Sequence, residues 1–120
     1  MIKNSKKRIA FFTTSRSEFG NMSDLIKILK KDRNFKVHLF VGGTHLEKKF
    51  GKTKKEIVKK KLNITKTFKF FNFSDSSEAL SRSLGYETQQ ISKFFKRFKF
   101  DFVIVFGDRY EVLPIIINSI

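Results

Sequence analysis

The sequence predicts an α/β fold: a Rossmann-like parallel sheet with helices on both faces. Three observations carry that prediction. Strand-like and helix-like segments alternate along all 120 residues. The strand-like segments are short, nearly continuous apolar runs, as expected for strands covered on both sides. The helix-like segments place apolar residues at helical spacing, with lysines on the opposite face.

Taken in order, "RIAFFTT" (Arg8 to Thr14) reads as a buried strand ending in β-branched residues. "SRSEFG" then reads as a polar loop. Met22, Leu25, Ile26 and Leu29 recur at i, i+3, i+4 and i+7, with Lys27, Lys30 and Lys31 opposite, which predicts an amphipathic helix. "KVHLFV" (Lys36 to Val41) is a second strand and "GGTHLEKKFG" its exit loop. "KTKKEIVKKKL" predicts a short exposed helix, and "ITKTFKFF" a third strand. "NFSDSSEAL" opens a longer helix, with Asp75 and Glu78 in capping-box spacing. Leu80, Leu84, Ile91, Phe94, Phe95 and Phe98 extend its apolar face. "DFVIVF" is the clearest strand, and a last helix starts near Tyr110, with Pro114 tolerable in its first turn. That helix is apolar nearly all round at "PIIINSI", so it expects neighbours, and the chain is expected to be truncated there.

Composition narrows the function. The chain has the length of one domain at most. It contains no cysteine, which excludes disulfides and thiolate metal sites. No secretory leader is recognisable, and no apolar run approaches the roughly 18 residues a membrane span needs. A cytoplasmic protein is expected, with no membrane partner. The formal net charge is +15, which raises the question of nucleic acid. Of 26 basic residues, however, 20 are lysines spread along the chain, mostly on solvent-facing helix positions. No nucleic-acid partner is expected.

In an open parallel sheet, ligands bind outside the carboxyl ends of the strands. Arg16, Glu18 and Gly20 follow the first strand, Gly42, Gly43, Thr44 and His45 the second, and Gly107, Asp108, Arg109 and Glu111 the fourth. Parallel strands bring these clusters to one edge. Each also has a plain structural reading. Asp108 and Glu111 have the spacing of a capping box, Arg16 suits a solvated surface, and His45 suits a hydrogen bond within a loop. An arginine at a first helical turn opposes the helix dipole, so Arg109 makes more sense with an anion nearby. His38 lies within a strand, and no metal site is expected. The known phosphate loops fail: "TTSRSEFG" is not G-x-G-x-x-G, and the Walker-like "FGKT" has Leu46 where the first glycine is required.

Together, "TTSRSEFG", "VGGTHLEKKFGKTKKEI" and "VFGDRYEVL" resemble, in order and spacing, the N-terminal domain of hydrolysing UDP-N-acetylglucosamine 2-epimerases of the bacterial type. Ser17 and Arg109 favour that branch over the non-hydrolysing enzymes. Ser17 and Gly42 depart mildly from the usual Ala and Thr, and Phe106 stands where animal members carry His. The resemblance implies part of the N-terminal domain of a two-domain, GT-B-like enzyme, with the active site between two Rossmann-like domains. It implies elimination of UDP from UDP-N-acetylglucosamine after loss of the C2 proton, then addition of water to give N-acetylmannosamine. It makes Asp108 the candidate acid/base, and Arg16 and Arg109 the candidate phosphate ligands. Gly20 would allow close approach of the nucleotide, and Glu18, His45 and Glu111 would support the site. No cofactor or metal is implied. The whole protein is expected to be a homo-oligomer, the fragment inactive alone, and further catalytic residues to lie beyond Ile120. Alternatives are the same chemistry on a UDP-diacetamido sugar, a GT-B glycosyltransferase, or a basic nucleic-acid-binding module.

Overall fold

A computed structural model describes residues 6–46, 54–69, 76–107 and 109–120. The elements run β1 (Lys7–Thr13), α1 (Arg16–Lys31), β2 (Phe35–Gly42), a 3-10 turn (Gly43–Leu46), α2 (Lys54–Lys59), β3 (Lys66–Phe68), α3 (Ser77–Arg97), β4 (Phe102–Val105), a second 3-10 turn (Tyr110–Val112) and α4 (Leu113–Ser119). The four strands form one sheet in the order β3-β2-β1-β4, and every pairing is parallel.

Alternation along β1 explains the two layers. Ile9 and Phe11 face one side, where they meet Phe19, Met22 and Ile26 of α1 and Ile57 of α2. Ala10 and Phe12 face the other, against Ile91 of α3 and Ile115 of α4. The first layer is mainly aliphatic and the second aromatic. Phe12 stacks on Phe40 at 4.6 Å between ring centroids and on Phe95 at 5.9 Å, and Phe40 stacks on Phe94 at 4.9 Å. Burying one such side chain contributes about 1.5–3 kcal/mol. Helices on both faces are what the parallel apolar strands require, as the sequence predicts.

Several local expectations change. "SRSEFG" is not a loop but the first turn of α1, so Arg16, Ser17, Glu18 and Gly20 are helical. The reason is a cap legible in S-x-x-E: the Ser15 side chain accepts from the Glu18 N–H. At α3 the cap is Ser76, whose Oγ accepts from the Ala79 N–H at 3.1 Å, rather than Asp75, which lies outside the described residues. The third strand is only Lys66–Phe68, and Phe70 and Phe71 also lie outside them. α2 is not simply exposed, because Ile57 is fully buried. Pro114 stands in the first turn of α4, where its missing N–H costs nothing. Leu113, Ile116 and Ile117 of that helix remain about half exposed. At position 42 the ring of Phe68 occupies the space a Cβ would need, which accounts for glycine there. Among the described residues no helix is long and apolar enough to cross a membrane.

Candidate active site

Chain order against strand order locates the crevice. β2 and β3 are laid down successively on one side of β1, both crossovers passing over the aliphatic layer. The α3 crossover then passes under the aromatic layer to place β4 on the other side of β1. The direction of winding reverses between β1 and β4, and that switch point is where such sheets open a binding crevice. Its walls are the segments after β1 and β4.

The β1 wall is closely tied. The Glu18 carboxylate accepts from the Thr14 N–H at 3.0 Å and from the Thr14 hydroxyl at 2.8 Å. Glu18 is thus fully engaged at the start of α1 and only 4% exposed. Gly107, at φ +106°, passes directly over it: a Cβ there would lie 3.1 Å from Glu18 Oε2. This contact joins the two walls. His45 is buried, with Nε2 2.9 Å from the Thr13 hydroxyl and its ring edge-on to Phe19. Burial pushes its pKa down to about 4, against a backbone hydrogen bond at Ser15 that raises it. His45 is therefore neutral at pH 7 and holds the loop after β2 against the end of β1.

The β4 wall carries the charge. Arg109 donates from Nε to Glu111 Oε2 and from Nη2 to Glu111 Oε1, both at 2.9 Å. This fork is the strong geometry for guanidinium and carboxylate. The Glu111 side chain is 2% exposed and that of Arg109 is 45% exposed. The anion that offsets Arg109 at this turn therefore comes partly from within the chain. Glu111 is spent on Arg109, and the turn's N-cap residue, Arg109, makes no side-chain capping bond. Asp108, the candidate acid/base, lies outside the described residues, between Gly107 and Arg109.

Arg16 and Gly20 sit at the same end of the sheet but on the outer surface of α1. Arg16 pairs with Glu56 of α2 at 3.2 Å, both well exposed, an arrangement worth little in stability. A Cβ at Gly20 would meet nothing within 4 Å, so no packing within this chain demands glycine there. The Walker-like "FGKT" lies outside the described residues. Among the described residues no group of three or more His, Cys, Asp or Glu side chains could hold a metal ion.

One residue escaped the sequence reading. Glu87 of α3 is fully buried, and neither carboxylate oxygen has a hydrogen-bond partner among the described residues. Burial, then the charges of Glu111 and Glu18, push its pKa up to about 9. The signal was present: Glu87 falls between Leu84 and Ile91 on the apolar stripe of α3, where a carboxylate does not belong.

The comparisons agree with this architecture. Residues 27–118 match the UDP-N-acetylglucosamine 2-epimerase family. A GDP/UDP-N,N'-diacetylbacillosamine 2-epimerase (hydrolyzing) from Campylobacter jejuni is 31% identical over 92% of this chain and 29% of its own length. A UDP-N-acetylglucosamine 2-epimerase from Neisseria meningitidis is 32% identical over 89% of this chain and 28% of its own. In structure, the chain superposes on a Neisseria meningitidis UDP-GlcNAc 2-epimerase solved with UDP-GlcNAc, with a TM-score of 0.72 at 15% identity, covering 94% of this chain and 29% of that one. The chain thus spans less than a third of the length of these relatives. On the extent of the family match, the chain belongs to the UDP-N-acetylglucosamine 2-epimerase family.

Proposed function

We propose that the whole protein containing these residues is a hydrolysing UDP-N-acetylglucosamine 2-epimerase, yielding N-acetylmannosamine and UDP. The observation that carries this reading is the Arg109–Glu111 fork at the β1/β4 switch point, adjoining Asp108. A buried acceptor holds a half-exposed arginine at the mouth of the crevice, and the guanidinium has five N–H donors of which Glu111 takes two. The others can take the pyrophosphate of a UDP-sugar, each charge-assisted bond contributing on the order of 1.5–3 kcal/mol.

The chemistry divides between the two charges. Asp108 serves as the acid/base at the sugar. As the C2–H bond breaks, its electron pair forms the C1=C2 double bond and the C1–O bond to UDP breaks. Arg109 stabilises the negative charge that collects on the leaving pyrophosphate. Water then adds across the glycal, its hydroxyl to C1 and a proton to the opposite face of C2. Glu18, over which Gly107 passes, holds the two walls in register, and His45 braces the loop after β2 against the end of β1. Arg16 and Gly20, on the outer rim, are the reading's more peripheral phosphate and nucleotide contacts.

The same chemistry on a UDP-diacetamido sugar is a second reading, favoured by the 31% identity to the Campylobacter jejuni relative. Incubating the whole protein with each UDP-sugar, and following UDP and free sugar, separates them. Release of N-acetylmannosamine from UDP-N-acetylglucosamine supports the first reading. Exclusive turnover of the diacetamido sugar selects the second. Transfer to an acceptor without free sugar would point to a glycosyltransferase and overturn both.

A further inference from the structure

Five lysines gather well away from the crevice. Lys27, Lys30 and Lys31 of α1 face Lys60 and Lys61, in the turn after α2, across a groove of about 370 Å³. Its floor is Leu62, a buried side chain. Lys60 ties the two sides together: its Nζ donates to Ser23 Oγ of α1 at 3.3 Å and stands 5.6 Å from the centre of the Phe19 ring. Lys61 sits at φ +58°, a left-handed conformation that glycine or asparagine adopts more readily. The helix dipole accounts for cations in the last turn of α1, where Lys30 and Lys31 stand. It does not account for Lys27, and Lys27 and Lys31 are like charges one turn apart, which oppose each other. Among the described residues none of the five lies within ion-pair distance of a carboxylate. Asp32 accepts from the Asn34 N–H, Glu56 pairs with Arg16, and Asp24 stays in solvent. Burial lowers the pKa of Lys30, as it does for a cation with no anion beside it.

We propose that this groove is a second anion site, one that takes a compact chain of linked phosphates: a free oligophosphate or the phosphate tail of a nucleoside triphosphate. Its position separates it from the crevice. α1 starts at the carboxyl edge of the sheet and runs away from it, so Lys27 lies about 16 Å along the helix axis from Arg16. The lining selects the ligand. Lysines are point charges with three donors each and impose no planar geometry, which suits tetrahedral phosphates at variable spacing. On one wall Lys27 is about 5–6 Å from Lys30 and Lys31. Lys60 and Lys61 oppose them, so successive phosphates meet cations from both sides. Single-stranded RNA needs aromatic side chains to stack its bases, and none lines the groove. A membrane surface needs protruding apolar side chains among the lysines, and the one apolar residue of the lining, Leu62, is 5% exposed.

The test uses the whole protein and sodium tripolyphosphate, with the crevice first saturated with UDP. Calorimetry is expected to show a further binding event that UDP does not displace. Lys30→Gln combined with Lys61→Gly should weaken it at least about tenfold, because two charge-assisted contacts are lost. Lys93→Gln with Lys96→Gln, at exposed positions of α3, should leave it unchanged. Glycine suits the left-handed turn at position 61, so that substitution does not lower the melting temperature. A second readout needs no variant: tripolyphosphate should shield the five groove lysines from acetylation, followed by mass spectrometry, and leave Lys93 and Lys96 reactive. Tighter binding of adenosine triphosphate than of tripolyphosphate at the same lysines identifies a nucleoside triphosphate as the source; equal or weaker binding identifies a free oligophosphate. Displacement by UDP, equal loss in the α3 variant or uniform shielding of all lysines overturns the proposal. So does capture of single-stranded RNA or anionic vesicles by these lysines with no affinity for tripolyphosphate. Failure of UDP to bind counts against the crevice reading alone, and the shielding still decides the groove.

Discussion

The two walls of the crevice are built on opposite plans. The wall after β1 is closed: Thr13, Thr14, Ser15 and Glu18 are all buried, and the cap, Glu18 and His45 are hydrogen-bonded within a few residues of the strand end. The wall after β4 is open: Phe106, Arg109 and Tyr110 are exposed. Satisfied polar groups make a wall that stays in place. A half-exposed arginine held by a buried glutamate makes one with donors left for an anion. The difference is the basis for proposing scaffold for the first segment and chemistry for the second, although both carry an arginine and a glutamate.

The contrast is broken or sharpened most strongly at Asp108. In the whole protein, Asp108→Asn is expected to lower kcat at least about a hundredfold, with unchanged circular dichroism. Near-normal turnover in the folded variant would move the chemistry off the β4 wall.

Next in size is a test of the closed wall. Gly43 has φ +60°, and a Cβ there would approach the Thr14 carbonyl oxygen at 2.6 Å. Gly43→Ala is expected to cost about 1–3 kcal/mol, read as a lower denaturation midpoint. An unchanged midpoint would mean that the loop after β2 does not brace β1.

His45 gives the closed wall a pH signature. Its folded pKa, about 4, lies below the ordinary value of 6.5. The unfolded chain therefore binds the proton first, and the stability His45 contributes is present above pH 6.5 and lost as pH falls toward 4. The slope is at most about 1.4 kcal/mol per pH unit. In thermal melts across that window, His45→Gln should flatten the curve, and an unaltered slope would contradict the buried neutral imidazole.

The smallest effect is at the rim. Gly20 is a helical glycine with open space around it, so Gly20→Ala should raise stability by about 0.5–1 kcal/mol. If the nucleotide approaches that backbone, the same variant binds UDP more weakly. Tighter folding with unchanged UDP binding would remove Gly20 from the site.

Much of this was legible in the sequence for identifiable reasons. Apolar runs such as Ile9 to Phe12 read as buried parallel strands and are; Phe102 to Val105 pairs in parallel as read, but it is half-buried to exposed here rather than buried. The start of α1 was misread because "SRSEFG" is polar, although Ser15 and Glu18 already carried the capping signal. Polarity describes solvent exposure, whereas a helix start depends on who accepts the first N–H groups.

By itself the sequence determined an alternating α/β chain, a sheet buried on both faces and the edge at which polar residues would gather. Periodicity and apolar runs are local properties, and local burial preferences are enough to set them. Only the tertiary structure decided which polar residues are spent and which remain available. Thr14 claims Glu18, Glu111 claims Arg109, and Glu87, some 24 residues before Glu111 in the chain, is buried with no hydrogen-bond partner among the described residues. Pairing of charges depends on distances across the fold, and these exist only once α3 has crossed beneath the sheet and set β4 beside β1.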